Sequence, residues 1–296
     1  MAEMKYILDD LDYYSEVYQT YIRCSGRPGS IQEWVDTAFK EEVVEKLSKK
    51  CQSAIPLKVL GIGSGAGNID CAMVEQLLPT FPQITNTILD PSEAQNDRFK
   101  KLVNEKEDTL KGASFEWRME TSDQYLDKIF SCEGGAQPPK FHLIHAVHVL
   151  YYAADLKQTL KRLHDMLEDG GLLFIIIVSR ECTIIKVHEN MNEIVTDLRP
   201  VLLTDEMIGA TLDSQNMPYS GEQVTRYIQG TSIFGEGCQE GDHLLDFLTH
   251  SKNFRKMAPD NLRESVLKYL RDPECSIEKD GEVLVFRHWV PMSVPK

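Results

Sequence analysis

The most restrictive feature of this chain is the stretch Val59-Leu60-Gly61-Ile62-Gly63-Ser64-Gly65-Ala66-Gly67-Asn68-Ile69-Asp70. An apolar run from Leu57 ends there in four glycines at alternate positions and passes at once into an amphipathic pattern from Ile69 to Leu78. That order reads as strand, tight turn and helix. Glycine has no Cβ, so the turn can take positive φ and a ligand can lie against bare backbone, facing the N–H groups of the helix start. A chain organised this way is expected to build a parallel sheet with a ligand at the end of its first strand.

The spacing narrows the choice of ligand. Gly61-x-Gly63-x-x-Ala66 formally meets the dinucleotide fingerprint, which would make the chain a nicotinamide-dependent oxidoreductase. Asp90, however, lies about 27 positions past Gly63, where that motif wants its acid at roughly 20. No dehydrogenase acid–base pair follows. No Gly-Lys-Ser/Thr follows either, which excludes a phosphate loop. What remains is a Gly-x-Gly-x-Gly turn, and Gly63, Gly65 and Gly67 resemble the one found in S-adenosylmethionine-dependent methyltransferases. The bland alternative is a glycine-rich turn with no ligand.

Composition bounds the partners. The 296 residues are 42% hydrophobic and 26% charged, enough for one large core with a small annex. A net charge of −14 repels a phosphate backbone, and no basic patch of useful size is visible, so nucleic acid is not expected as a partner. The seven cysteines are scattered singly, without a C-x-x-C pair. With an N-terminus lacking a charged-then-apolar signal, they point to a reducing, cytoplasmic setting. The longest apolar run, Leu172 to Val178, is far short of the ~20 residues of a membrane span. No membrane contact is expected, and a monomer is.

Along the chain, Asp12 to Ile22 reads as a helix with Tyr14, Val17, Tyr18 and Tyr21 on one face. That face either packs on the body or, through Tyr14 and Tyr18, closes over a substrate. Ser30-Ile31-Gln32-Glu33 reads as a capping box opening a helix from Ile31 to Lys50. Thr85 to Leu89 is a second strand that ends at Asp90, where a carboxylate can accept from two ribose hydroxyls; Asp90 capping its own turn is the plainer reading. Ser92 with Gln95 again looks like a capping box.

Ser114 to Arg118 is a third strand leading into Glu120-Thr121-Ser122, short polar groups suited to an adenine edge. Phe141 to Val147 is a fourth, with the tail His148-Val149-Leu150-Tyr151-Tyr152. His142 and His145 fall on opposite faces of that strand, which argues against a triple-histidine metal site with His148. Leu156 to Leu167 is a helix, Gly170-Gly171 its expected glycine C-cap, and Leu172 to Val178 a fifth strand.

Five strand-and-helix alternations define a doubly wound parallel α/β sheet. Its strand ends, Gly61–Gly67, Asp90, Ser122, Val147–Tyr152 and Ser179, fall on one rim. Beyond Arg180 the alternation fails. Helices are expected over Asp205 to Gln215 with Thr204 as cap, His243 to Thr249 and Asp260 to Leu270, and strands over Val224 to Ile228 and Glu282 to Trp289.

These motifs together resemble the histamine N-methyltransferase family and its carnosine-methylating relatives, over about Tyr14 to Phe286. The likeness rests on Ile62 to Asp70, Asp90-Pro91-Ser92, Glu120-Thr121-Ser122, Val149 to Tyr152, Gly241-Asp242 with Asp246 to Thr249, and Asp280 to Leu284. It implies a class I, Rossmann-like methyltransferase with a mostly parallel seven-stranded sheet and a small substrate-binding annex. In that plan residues 1–50 are a helical lid, 51–180 the cofactor core and 181–296 the annex with its closing strands. The resemblance implies S-adenosylmethionine as cofactor, contacted by Gly63, Gly65, Gly67, Asp90, Gln95, Ser122 and Val147. It also implies an aromatic pocket of Tyr14, Tyr18, Tyr151, Tyr152 and Phe247, apt for a sulfonium and a flat imidazole. No metal is expected.

The polar contacts to the acceptor depart from the family. Arg27 stands where it has a glutamate, His148 where it has a glutamine, and Arg287 where it has an asparagine. Two tryptophans past the fifth strand are replaced by Ile184 and His188. Two cations in place of a carboxylate and an amide disfavour a free ammonium tail and favour a carboxylate. The expected acceptor is therefore a small imidazole or amine compound bearing a carboxylate, such as carnosine or a histidine-like amino acid, with His148 as orienting residue and base. Histamine itself is the alternative, and a binding protein that has lost its activity is another.

Overall fold

The computed structural model describes residues 4–51, 55–131, 137–194 and 202–296. Its strands are β1 Leu57–Ile62, β2 Ile84–Leu89, β3 Ala113–Arg118, β4 Phe141–Val147, β5 Leu167–Val178, β6 Ser220–Gly221, β7 Val224–Gln229, β8 Ser276–Lys279 and β9 Glu282–Pro295. The helices are α1 Leu11–Ser25, α2 Arg27–Thr37, α3 Glu45–Lys50, α4 Asn68–Leu77, α5 Glu93–Glu105, α6 Ser122–Phe130, α7 Leu156–Asp165, α8 Thr183–Ile194, α9 Asp205–Asp213, α10 Gln239–Thr249, α11 Phe254–Met257 and α12 Asp260–Tyr269. Two compact units result. A sheet unit comprises Pro28–Ile177, Leu203–Glu222 and Val290–Lys296, and a helical unit comprises Met1–Arg27, Val178–Leu202 and Gln223–Trp289.

In the sheet unit the strands run in the order β3-β2-β1-β4-β5-β9-β6. β1 pairs parallel with β2, from Leu57↔Ile84 to Ile62↔Leu89, and with β4, from Val59↔Leu143 to Ile62↔Ala146. β2 with β3 and β4 with β5 are also parallel, whereas β6 is antiparallel to the second half of β9. Seven strands thus lie on the main path, mostly parallel as the resemblance implies, and β7 and β8, paired with β9, bring the sheet to nine where seven are expected. Strands covered on both faces read as unbroken apolar runs, and β5 does so from Leu172 to Ile177, all buried. On one side of the sheet Leu60, Ile62, Ile144, Leu173 and Ile175 pack with Leu160, Leu163 and Met166. The strand order reverses between β1 and β4, the switch point at which such sheets open a crevice at their carboxyl ends.

Several local expectations are corrected. The helix read from Ile31 to Lys50 is interrupted by a π-helical turn at Lys40–Val44 and begins at Arg27, so Ser30 lies inside α2 and does not cap it. The wide turn holds an extra residue, which lets adjacent Val43 and Val44 both reach the core. Trp34 stacks on Phe174 with centroids 5.5 Å apart, and Phe39 meets the same ring edge-on at 5.7 Å. Gly170 is no helix cap, because α7 ends at Asp165 and the chain is already in β5. Gly170 has φ +80°, and a Cβ there would stand 2.7 Å from that of Lys50. Thr204 precedes α9 in cap position, but its buried hydroxyl makes no hydrogen bond. The closing strand runs on past Trp289 to Pro295.

The helical unit has its own core, in which Val17, Tyr21, Val187, Met191, Leu244, Leu248, Phe254 and Val266 are buried. α1 packs on α10 and β7, and α8 packs on α10 and α12. β7 and β8 are both antiparallel to the first half of β9. Among the described residues no helix is long and apolar enough to cross a membrane.

Candidate active site

The sheet unit carries the glycine turn. After β1 the chain passes through Gly63, Gly65 and Gly67, with φ of +61°, +57° and +81°, into α4. A Cβ on Gly63 would lie 2.3 Å from Val149 Cγ2, and one on Gly67 would lie 2.1 Å from the Phe99 ring. At Gly65 nothing lies within 4 Å. Two glycines therefore let the turn press against protein, and the third leaves its outer face open to a ligand.

Asp90 follows β2 and faces this turn. Its Oδ2 accepts the Gly65 N–H at 2.8 Å and its Oδ1 accepts the Ser92 N–H at 2.9 Å, and the residue is only 7% exposed. A carboxylate oxygen has two lone pairs, so each keeps one for a sugar hydroxyl. The Asn96 amide braces the turn from within by donating to the Asp90 and Ser92 carbonyls at 2.9 and 3.0 Å. Ser92 accepts the Gln95 N–H at 3.3 Å, which is one arm of the expected capping box. The other arm is missing because Asp90 has taken the Ser92 N–H, and Gln95 Oε1 is left buried without a hydrogen-bond partner. A ligand hydroxyl beside Asp90 would satisfy that orphaned acceptor.

The other strand ends behave as follows. Thr121 caps α6 through a reciprocal bond with Gln124, which makes Ser122 the first residue of that helix. Val147 closes β4 opposite Ile176. His148 then adopts φ +50°, in the left-handed region that non-glycine residues seldom enter, while its N–H donates to the Ile176 carbonyl at 2.8 Å. This twist returns Val149 over Gly63 and starts the turn Leu150–Tyr152. Tyr151 and Tyr152 meet edge to face at 4.8 Å, with Tyr152 75% exposed. His142 Nδ1 accepts the Lys58 N–H at 2.9 Å, whereas His145 is buried beneath the glycine turn.

In the helical unit Tyr14 stacks on Tyr18 at 5.7 Å, Tyr18 tilts against Phe247 at 6.1 Å, and Tyr21 stacks on Phe247 at 3.9 Å. The fully buried Asp246 of α10 ties α1 to the chain that follows α10. It accepts the Tyr13 hydroxyl at 2.5 Å and the N–H groups of Asn253 and Phe254 at 2.6 and 2.8 Å. Burial raises the Asp246 carboxyl above its usual range despite those donors. The ring series continues through His250, 5.9 Å from Phe247, to His188 at 4.7 Å. Burial lowers His188 to about 4 and His250 to about 3, so both rings are neutral. Arg287, 4% exposed on β9, donates to the Ser25 carbonyl at the end of α1 at 3.3 Å. Arg27 opens α2, and its side chain lies outside the described residues.

Sequence reading missed the residues that shape the cradle from behind, namely Val149, Phe99 and Asn96. Phe99 and Asn96 carry no motif of their own, and Val149 lies in the Val149 to Tyr152 motif with no role assigned to it there.

A doubly wound sheet with this turn at its switch point is built to bind a nucleoside-type ligand, and residues 31–226 match the family model described as a methyltransferase domain, which makes the chain a methyltransferase. The histamine N-methyltransferase of Rattus norvegicus is 30% identical over 284 residues, 95% of this chain and 94% of its own. Those of Danio rerio and Xenopus tropicalis are 30% identical over 293 residues and 32% over 286, covering 96% and 95% of this chain and 95% and 94% of theirs. The chain belongs to the histamine N-methyltransferase family. The nicotinamide oxidoreductase alternative is thereby set aside.

Proposed function

We propose that the chain transfers a methyl group from S-adenosylmethionine to a nitrogen of a small imidazole- or amine-bearing acceptor. The observation that carries this reading is the Asp90 carboxylate, bonded to the Gly65 N–H at 2.8 Å with lone pairs to spare beside the open face of the turn. Asp90 and Gln95 would hold the ribose, Ser122 beyond β3 the adenine end, and the glycine backbone with Val147 at the end of β4 the remainder. The cofactor supplies a methyl group on a positively charged sulfur.

The protein's part is to present a neutral nitrogen in line with that methyl and to keep water away, an effect worth several kcal/mol of barrier. Flat aromatic rings suit both purposes, since they attract a cation and stack on an imidazole. His148, held in an unusual backbone conformation at the end of β4, orients the acceptor and takes the proton released from its ring. Strained residues of this kind concentrate at functional sites.

The acceptor we infer bears a carboxylate beside its imidazole, as carnosine and histidine do. A buried guanidinium on β9, Arg287, is suited to hold an anion. Histamine is the second reading, favoured by the 30% identity to enzymes named for it. Methyl transfer from labelled S-adenosylmethionine to carnosine, histidine and histamine, compared as kcat/KM, separates the two. Preference for the carboxylate-bearing acceptors supports the first reading, and efficient turnover of histamine alone refutes it. Cofactor binding with no transfer to any acceptor identifies a protein that has lost its activity.

A further inference from the structure

Beneath the glycine turn lies a cluster of three polar side chains from three elements. The Ser64 hydroxyl, in the turn itself, donates to Asp70 Oδ1 at 2.7 Å. Asp70, on the first turn of α4, is 3% exposed. His145 of β4, 2% exposed, brings Nε2 to 3.3 Å from the same oxygen, although not in the alignment of a hydrogen bond. All three converge on Gly61. A Cβ there would stand 2.5 Å from Ser64 Oγ, 2.6 Å from Asp70 Oδ1 and 2.9 Å from His145 Cε1. The glycine at 61 therefore serves this cluster and not the ligand, since its missing side chain is the space the three groups fill.

A buried carboxylate is costly unless it is paired or hydrogen-bonded; the first turn of α4 favours the charge of Asp70, and the Ser64 hydroxyl supplies its hydrogen bond. What the cluster does geometrically is fix Ser64. The next residue, Gly65, is held through its N–H by Asp90. Adjacent residues of the turn are thus gripped by two different carboxylates, Asp70 from beneath through a side chain and Asp90 from the rim through the backbone. The backbone between them cannot rotate without breaking one of the two bonds.

We propose that Asp70, acting through Ser64 and supported by His145, is a positioning residue that holds the glycine turn in the conformation that receives the cofactor. This rests on the cofactor reading given above. Asp70 touches no reacting atom, so its effect falls on cofactor binding, and the chemical step is spared.

The test is calorimetric titration of the intact chain and its variants with S-adenosylhomocysteine, alongside steady-state kinetics. Ser64→Ala is expected to raise the Kd about tenfold, or about 1.4 kcal/mol, with kcat at saturating cofactor and the acceptor KM within about twofold of the wild type. Asp70→Ala, which removes the acceptor that an asparagine would keep, should do the same. The double variant should lose little more than either alone, because both remove one interaction. A Ser64→Ala chain that binds within about twofold of a binding-competent wild type overturns the proposal, as do single effects that multiply in the double variant. A wild-type chain that does not bind refutes instead the cofactor reading beneath it. Should Asp70→Ala fail to fold, Ser64→Ala decides alone.

Discussion

Replacing Asp90 with asparagine separates the two tasks assigned to that side chain. The carboxylate presents two acceptors, and each is engaged by a backbone N–H, Gly65 at 2.8 Å and Ser92 at 2.9 Å. An amide offers one acceptor and one donor, so one of those N–H groups must face an NH2 whichever way the side chain turns. A hydrogen bond to a charged group contributes about 1.5–3 kcal/mol, and the ligand-free variant should lose about 2 kcal/mol in urea denaturation. The sugar then loses an acceptor of its own, a second term of similar size, which predicts a Kd for S-adenosylhomocysteine raised about 10- to 100-fold. Calorimetry gives the second number and denaturation the first. A variant that loses stability yet binds within about twofold of the wild type would show that Asp90 only pins the turn, and the ribose assignment would be wrong.

The remaining expectations follow from neighbouring geometry. Gly63→Ala must displace Val149, 2.3 Å from the new Cβ at φ +61°, and should cost about 2–4 kcal/mol in denaturation; Val149→Ala in that background should restore the steric share. Gly65→Ala meets nothing within 4 Å and should cost about 1–2 kcal/mol while sharply weakening cofactor binding by calorimetry. Tyr13→Phe removes the 2.5 Å bond to buried Asp246 and should cost about 2 kcal/mol and raise the acceptor KM, with cofactor affinity unchanged. His188 is lowered to about 4 in the folded chain from an unfolded value near 6.5. The unfolded chain therefore takes up the proton first, and stability that is complete above about pH 6.5 is lost as pH falls towards 4. The loss from this ring is about 2 kcal/mol at pH 5; a His188→Gln chain with the same pH dependence of urea midpoint as the wild type would contradict it.

The legible parts of the fold are those written in local pattern. β4 spans Phe141–Val147, the bounds expected from the sequence, and the glycine turn announces both its conformation and its place at a strand end. What escaped was decided by distant chain. Gly170 looks like a helix cap, but it is a strand residue whose backbone admits Lys50 from far earlier in the sequence. The Trp34 to Leu47 segment reads as one helix until Phe174 draws both Trp34 and Phe39 to the same ring, and a π-helical turn absorbs the mismatch. Ser92 and Gln95 look like a full capping box, yet Asp90 claims one arm. In the site the same division holds. Asp90 and the glycines are visible as a motif, whereas Val149 over Gly63 and the polar cluster under Gly61 arise only when the turn meets β4 and the segment that follows it.

A crystal structure of the chain with S-adenosylhomocysteine tests the central claim most directly. The nucleoside should lie across the open face of Gly65, with its ribose hydroxyls within hydrogen-bond distance of Asp90 and Gln95. A nucleoside bound elsewhere, or a ribose turned away from Asp90, would contradict it.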